Sequence, residues 1–416
     1  MKRFYLFITI FLGIFSVGAH AQQGVVAPVA IPNARVLPKG VRNFNFKGLY
    51  TAPDSKFNRH GDERALSDPF YSDVSFGNML NGQYSSEDKA KLQAKMIELG
   101  KSEDESFGQT TGQVNASAAI SVPIMAIGLT KKTTAAIVVP IARTSINVST
   151  GILQTNQALM NEFRDSISVS QGGLQEFDRK MNDPVNSKLD EFNYDPLENI
   201  TDTRLGDIRL VLKHQLFETD RNRFAVSFIT NLPTGQQADP NKIVDIQAGD
   251  GQTDIGVGLA HDFRLTPAFD LTLNFEYVNQ LPDTDEKRVP YTILSKLSPD
   301  VDTNIDRDLG DMVHLQAAAQ YAKNGLNAAV GYSFQYKQPD SYEGTKFAAY
   351  RYEFLGRETQ MRMQAVQAMV GYDTITLFKQ KKFPAPLRAS LTYIAPFEGK
   401  NVTKNPMTAF DLSLFF

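Results

Sequence analysis

The sequence predicts an all-β chain folded as a transmembrane, antiparallel, up-and-down β-barrel. Three observations carry this reading. Long segments alternate apolar and polar residues with a period of two, short turns alternate with long polar connections, and the last strand is an amphipathic run that ends in Phe416. Twelve strands are preferred and fourteen are possible, with short periplasmic turns and long extracellular loops that hold one or two short helices.

The alternation is clearest where Phe269, Leu271, Leu273, Phe275 and Tyr277 are interleaved with Asp270, Thr272, Asn274 and Glu276. The same pattern runs through Leu326 to Lys337 and through Thr253 to Ala260. Successive side chains of a strand point to opposite faces, so each segment has one greasy face and one polar face. These segments run about 10–14 residues, which suits a tilted membrane strand better than a sandwich strand of about 5–6. Beyond the first residues no apolar stretch approaches the roughly 18 needed for a helical span.

Counting back from Phe416 places strands near 405–416, 385–397, 361–377, 325–337, 309–322, 268–281, 252–265, 222–233, 204–217, 133–147 and 112–124. Bacterial single-chain barrels have even strand numbers, so one more strand must precede residue 112. Phe44-Phe46-Gly48-Tyr50 fits, with a weaker option at 70–80; a fourteen-strand barrel needs both and another hidden in 338–360. Pro140 makes strand 133–147 the least regular, because proline in a sheet belongs at a bulge or edge. The long connections 147–203, 234–251, 282–308, 338–360 and 398–405 all fall on one side, the outside. Helices are expected at 86–99, behind Ser86, Glu87 and Asp88, and at 151–164.

The chain divides into a signal peptide (1–21), an extended tail or short plug (22–40) and the barrel (41–416). Lys2 and Arg3, an apolar run from Phe4 to Val17, and the small residues Ala19 and Ala21 around His20 form the signal and its cleavage site. With no cysteine there is no disulfide framework and no thiolate metal site. A net charge of −3 with no basic stripe argues against nucleic acid. No tryptophan accompanies the 28 Phe and 15 Tyr, so any interfacial aromatic girdle must be built from those two.

The final strand resembles the targeting signal read by the barrel-assembly machinery, with Phe410, Leu412, Leu414 and Phe416 facing one way. Its physical task is to pair with the first strand and leave no open edge in lipid. Outer-membrane lipid and lipopolysaccharide are the other expected partners, beside a small-molecule substrate. Alternation puts Arg209, Lys213, Asp262, Arg264, Glu276, His314, Gln316, Gln335, Lys337, Arg362 and Arg388 on the lumenal face. Such a set either lines a wet path or fills the barrel with a salt-bridge network, and twelve strands sit between filled and open barrels.

No cofactor or metal site is expected. The acidic residues 300, 302, 306, 308 and 311 lack the glycine-turn spacing of a calcium loop. Among the histidines only His261 has outward alternation in a strong strand, and no serine partner accompanies it, so a lipid-acting enzyme is a remote reading and the chain is taken as a non-enzyme.

Residues 229–235 read Ile-Thr-Asn-Leu-Pro-Thr-Gly, and after a polar loop Gly249-Asp250-Gly251-Gln252 opens the strand that continues through Asp262 to Leu265. This resembles the outer-membrane barrels encoded with phenol-degradation pathways and, more distantly, the FadL-type transporters of hydrophobic compounds. In those a strand ends in a Leu-Pro-Thr-Gly corner and a glycine-bracketed entry leads back into the wall. The resemblance covers about a tenth of the chain. It implies a channel or uptake protein for small, hydrophobic or aromatic molecules by passive diffusion. A closed structural or adhesive barrel with partner-binding loops is the alternative.

Overall fold

The computed structural model describes residues 33–416, apart from 155, 168, 294 and 296. Ala19, Ala21 and residues 22–32 lie outside the described residues.

Twelve antiparallel strands close into a barrel. They begin with β1 (Arg42–Thr51) and β2 (Ser106–Gly128). Two broken strands follow, β3 (Thr133–Val138 and Ile141–Gln154) and β4 (Ile200–Leu205 and Ile208–Glu218). Next come β5 (Asn222–Leu232), β6 (Asp254–Thr266), β7 (Phe269–Gln280) and β8 (Met312–Lys323). The wall ends with β9 (Leu326–Lys337), β10 (Met361–Asp373), β11 (Leu387–Lys400) and β12 (Met407–Phe415). Every strand counted back from Phe416 is present, and the Phe44–Tyr50 segment supplies the twelfth.

The fourteen-strand option fails on two segments. Ser72–Ser75 is a short strand laid on the outer end of β2 and not part of the wall. Ser341–Glu343, within 338–360, joins Asp283–Arg288 and Val301–Asp308 in a separate three-stranded loop sheet.

Closure follows from lipid chemistry. An unpaired backbone group in hydrocarbon costs several kcal/mol, so an open edge there is not tolerated. The edge is removed by nine residue pairs between β1 and β12, from Asn43 with Phe415 to Thr51 with Met407. Inside this seam Asn45 donates to Asp411 at 2.8 Å and to Ser413 at 2.6 Å. Outside it Phe44, Phe410 and Leu412 are exposed to lipid.

The membrane band is written on the outward face. On β2, Pro123, Met125 and Ile127 point out at the periplasmic end, whereas Gln113, Asn115 and Ser117 occupy the same face higher up. With 23 residues the strand is about twice what lipid requires, so its outer half rises clear of the hydrocarbon. Aromatic rings mark the margins. Phe217 stacks on Phe224 at 5.7 Å and Phe269 meets Tyr321 at 5.0 Å near the periplasm, while Tyr332 meets Phe397 at 6.4 Å nearer the outside. Phe and Tyr thus form the girdle without tryptophan.

The breaks in β3 and β4 lie side by side. Pro140 cannot donate to the ladder, but its carbonyl accepts from Gly206 N at 2.8 Å, and Val139 N reaches Pro123 O at 3.1 Å. Across the β4 break the outward phase slips by one residue, from Leu205 to Leu210. Thr234 repairs the gap: its hydroxyl donates to Gly206 O at 3.0 Å and accepts from Ile208 N at 2.9 Å.

The outer loops hold more helix than the one or two short helices expected. They are α1 (Phe76–Leu80), α2 (Ser86–Glu98), α3 (Gln157–Ser166), α4 (Gln171–Asn182), α5 (Pro184–Glu191) and the single turn α6 (Ala349–Tyr352), while α7 (Ile375–Lys379) lies in the β10–β11 turn on the periplasmic side. The 86–99 expectation matches α2, whose N-cap Ser85 accepts from Asp88 N at 3.0 Å and whose Leu92 and Met96 are buried. The 151–164 helix is displaced. β3 keeps pairing with β2 as far as Gln154 opposite Gly108, so the chain turns helical only beyond the Asn156 cap.

Val330 points outward within the apolar band. Val330→Arg is expected to lower the free energy of unfolding from lipid vesicles by about 2–4 kcal/mol. Gln113→Arg, on the same face of the wall but above the band, should change it by less than about 0.5 kcal/mol.

Candidate functional site

The inner face of the barrel is divided. Where β1–β3 and β10–β12 face inward, the outer half of the lumen is apolar: Leu49, Ile120, Val122, Val138, Met363 and Ile394 form one buried cluster. The inward positions of β4–β9 are mostly polar, with Ala225, Ile229, Ala260 and Val278 among the exceptions. A hydrophobic wall therefore faces a hydrogen-bonding one.

The residues predicted to line the lumen fall into distinct groups. Arg209 pairs with Glu276 at 2.6 Å, and His314 stands opposite Glu276 in the β7–β8 register, with Gln335 opposite His314. Gln316 is buried two residues along β8. Lys213 and Asp262 lie closer to the periplasm, and Arg264 sits at the periplasmic end of β6, 3.7 Å from Asp270 and donating to Asp220 O at 3.3 Å. Lys337 is at the opposite end, buried in an ion pair with Asp340. Arg388 points inward from β11, its Nε without a protein acceptor.

Arg362 is a correction. It faces outward at the extracellular end of β10 and pairs with Glu398 at 2.6 Å; Gln364, two residues on, shares that face and accepts from Tyr332 Oη at 2.6 Å. The inward residues of β10 are Met363, Ala365 and Gln367. Because the lumen wall is itself apolar here, apolar character marks both faces of the strand and alternation fixes no phase.

Further residues belong to the site. Gln367 is buried in the lumen and escapes the sequence reading for the reason just given; Ser333, inward by its alternation, is buried there as well. Asp207 lies at the β4 break and fastens the loop between β5 and β6. Its Oδ1 accepts from Gly235 N at 2.7 Å and its Oδ2 from Asp250 N at 2.9 Å. Gly249 must be glycine at this point, since a Cβ would stand 2.2 Å from the Asp207 carboxylate, and Gly251 adopts φ +71°. The Leu-Pro-Thr-Gly corner and the glycine-bracketed re-entry are two halves of one knot around Asp207.

The outer mouth is roofed by loops. On the inner side of the β2–β3 extension α5 packs through Val185 and Leu189 against Ile146, Val244 and Leu297. Arg288 ties three loops together. It donates to Phe192 O, Pro240 O and Ser298 O at 2.9 Å and lies 3.9 Å from the Tyr194 ring. The acidic run of this loop is also engaged: Asp300 pairs with Arg351 at 2.7 Å, Asp302 accepts from Tyr352 Oη at 2.5 Å, and Asp311 from Tyr277 Oη at 2.6 Å.

At the periplasmic end the segment 33–38 runs into the lumen. Ala34 N donates to Asp262 at 3.1 Å, Arg35 pairs with Asp270 at 2.9 Å, Leu37 N donates to Thr134 at 2.7 Å, and Lys213 donates to Asn33 O. Ala34 is fully buried against Ala225 and Ala260. A recess of about 580 Å³ lies between this segment and the wall, lined by Arg35, Lys39, Lys131, Gln215, Glu218 and Arg223 among others. His261 is on the outer surface, 3.0 Å from Asn222 Oδ1.

No protein-family profile matches the chain, and no curated protein matches it in sequence. In fold it is similar to an outer membrane channel from Pseudomonas putida F1, with a TM-score of 0.53 and 10% identity over 93% of this chain and 100% of that one. The monoaromatic hydrocarbon channel CymD (TM-score 0.35, 11% identity, 98% and 96% covered) and the Ralstonia pickettii toluene transporter TbuX (0.33, 9%, 98% and 97%) are more distant, at scores too low to decide anything.

Asp207→Ala removes two charge-assisted hydrogen bonds of about 1.5–3 kcal/mol each, so protease nicking of loop 233–253 should accelerate while the barrel stays folded. Asp250, in the same loop, is buried beside Asp254 and Asp207, and its carboxyl is pushed well above the usual 3.8. A raised folded-state value means the group favours folding only below the ordinary range and opposes it at neutral pH. Asp250→Asn should therefore slow nicking at pH 7 and make little difference below about pH 4.

Proposed function

We propose that this chain is an outer-membrane channel or uptake protein for small, hydrophobic or aromatic molecules, working by passive diffusion and without catalysis. The observation that carries the reading is the two-sided lumen: Leu49, Ile120, Val122 and Ile394 present an apolar wall where a filled barrel would have crossing ion pairs. Among the described residues, charge on that side is limited to Arg388 and to Lys47, which lies 3.8 Å from Asp411, while the Arg209–Glu276 pair joins β4 to β7 across the polar side. Similarity in fold to a solved outer membrane channel supports the same class. The Leu-Pro-Thr-Gly corner and the apolar wall favour an apolar cargo.

The rest of the molecule is read accordingly. Residues 1–21 direct export and are removed after Ala21. Of the two readings of 22–40, tail or short plug, the plug is favoured by the bonds of Asn33 to Leu37 with Lys213, Asp262, Asp270 and Thr134 of the lumen. Phe410, Leu412, Leu414 and Phe416 present the finished strand to the assembly machinery, and the apolar belt meets lipid and lipopolysaccharide. The roof of loops favours a second reading, a closed barrel whose helices contact partners.

Planar bilayers separate the two. The folded chain starting at Gln22 should conduct ions, and removal of residues 22–37 should raise single-channel conductance about two-fold or more. If neither form passes any ion or small solute, the barrel is closed and the structural reading replaces the channel.

A further inference from the structure

Midway along the polar wall, neutral hydrogen-bonding side chains from adjacent strands meet. The register sets Asn274 of β7 opposite Gln316 of β8, Gln316 opposite Ser333 of β9, and Gln367 of β10 opposite Gly331. Gln316, Ser333 and Gln367 are only 3%, 1% and 4% exposed. Yet both amide atoms of Gln316, both of Gln367 and the Ser333 hydroxyl have no protein group within hydrogen-bond reach. Buried polar atoms left unpaired are costly, and native structures keep few of them. Five in one patch is a concentration that packing alone does not explain.

The residues between them are small and close-packed: Ala318 and Ala329 are buried, and a methyl at Gly331 would stand 3.0 Å from Ala317 O and 3.2 Å from the Gln367 side chain. In a closed ring of twelve, β8 and β9 face β2 and β3, whose inward residues Ile120, Val122 and Val138 are apolar. None of the three unpaired side chains carries charge, so an ion drawn onto them would lose hydration without gaining a counter-charge.

We propose that Gln316, Ser333 and Gln367 form a lumenal binding station for an uncharged amphipathic solute, a small apolar body bearing a hydroxyl or carbonyl group. The amides and hydroxyl hold the polar group while the facing apolar wall receives the body. Few convergent polar groups on a largely apolar surface is the usual composition of a small-molecule site. This deepens the channel reading, because it names which of the small molecules that reading admits are retained.

The test compares three solutes with one ring and different heads, cyclohexanol, methylcyclohexane and cyclohexanecarboxylate. Each is titrated calorimetrically into the folded chain in detergent, with empty micelles subtracted. Cyclohexanol should bind saturably, and Gln316→Leu with Gln367→Leu should weaken it about ten-fold. Methylcyclohexane should bind the double variant at least as well as the unaltered chain, and the carboxylate should bind neither. Unheated gel mobility reports that the variant is folded, and Gln316→Glu keeps the size of the side chain if the double variant fails that check; it too should lose cyclohexanol. Equal cyclohexanol binding with and without the substitutions, or the same response to all three solutes, overturns the station and leaves those atoms to water. Because binding is read without transport, a barrel that takes up cyclohexanol but passes no current refutes the channel and keeps the station.

Discussion

Hydrocarbon offers no hydrogen bonds, so every backbone N–H and C=O of the wall must find its partner within the wall. That requirement makes β1 meet β12, and it forbids any unrepaired break. Pro140 and the Gly206-Asp207 step each interrupt the ladder, and each is compensated locally. Gly206 N bonds to the Pro140 carbonyl, and the Thr234 hydroxyl bridges Gly206 O and Ile208 N. The corner that looks like a loop motif in the sequence is thus part of the wall's own hydrogen-bond accounting.

The same strands serve two solvents, and this fixes what each face can be. Lipid demands an apolar outer face, whereas the inner face is free to vary. Part of it has become apolar as well, through Ile120, Val122, Met363 and Ile394, and the rest holds paired charges and neutral amides. Loops and tail then close on the two ends. Asp207 and Arg288 gather the outer loops by binding backbone atoms of several segments at once, and the 33–38 stretch is held by Lys213, Asp262 and Asp270 from below.

Most of the wall was legible because period two and an anchored count are both strong signals in antiparallel membrane strands. β6 to β9 and β12 carry clean alternation, and their lumenal residues could be named directly. β10 could not be phased, since Met363 and Ala365 inside are as apolar as Val366 and Val370 outside. Arg362 was placed on the wrong side and Gln367 was missed for this one reason. The loop helices α4 and α5 were hidden differently. Their apolar residues, such as Phe177 and Leu189, are buried against other loops, and such partners are set by tertiary packing that a single segment does not reveal. The fastening role of Asp207 is invisible in the sequence because its partners lie 28 and 43 residues away in a loop, beyond the reach of any periodicity.

The seam between β1 and β12 also governs time. Asn43 and Leu414, which share a hydrogen bond across it, are 371 residues apart in the chain. All the other wall strands can pair with a neighbour soon after that neighbour is made, but this pair cannot form until synthesis and export of the whole barrel are complete. Contacts of such long sequence separation form slowly. Until then the molecule carries two bare edges, at Arg42–Thr51 and Met407–Phe415, each a template for joining another unfinished copy. Ring closure is therefore the kinetic bottleneck of this fold, and the interval before it is when the chain is most exposed to aggregation and proteolysis.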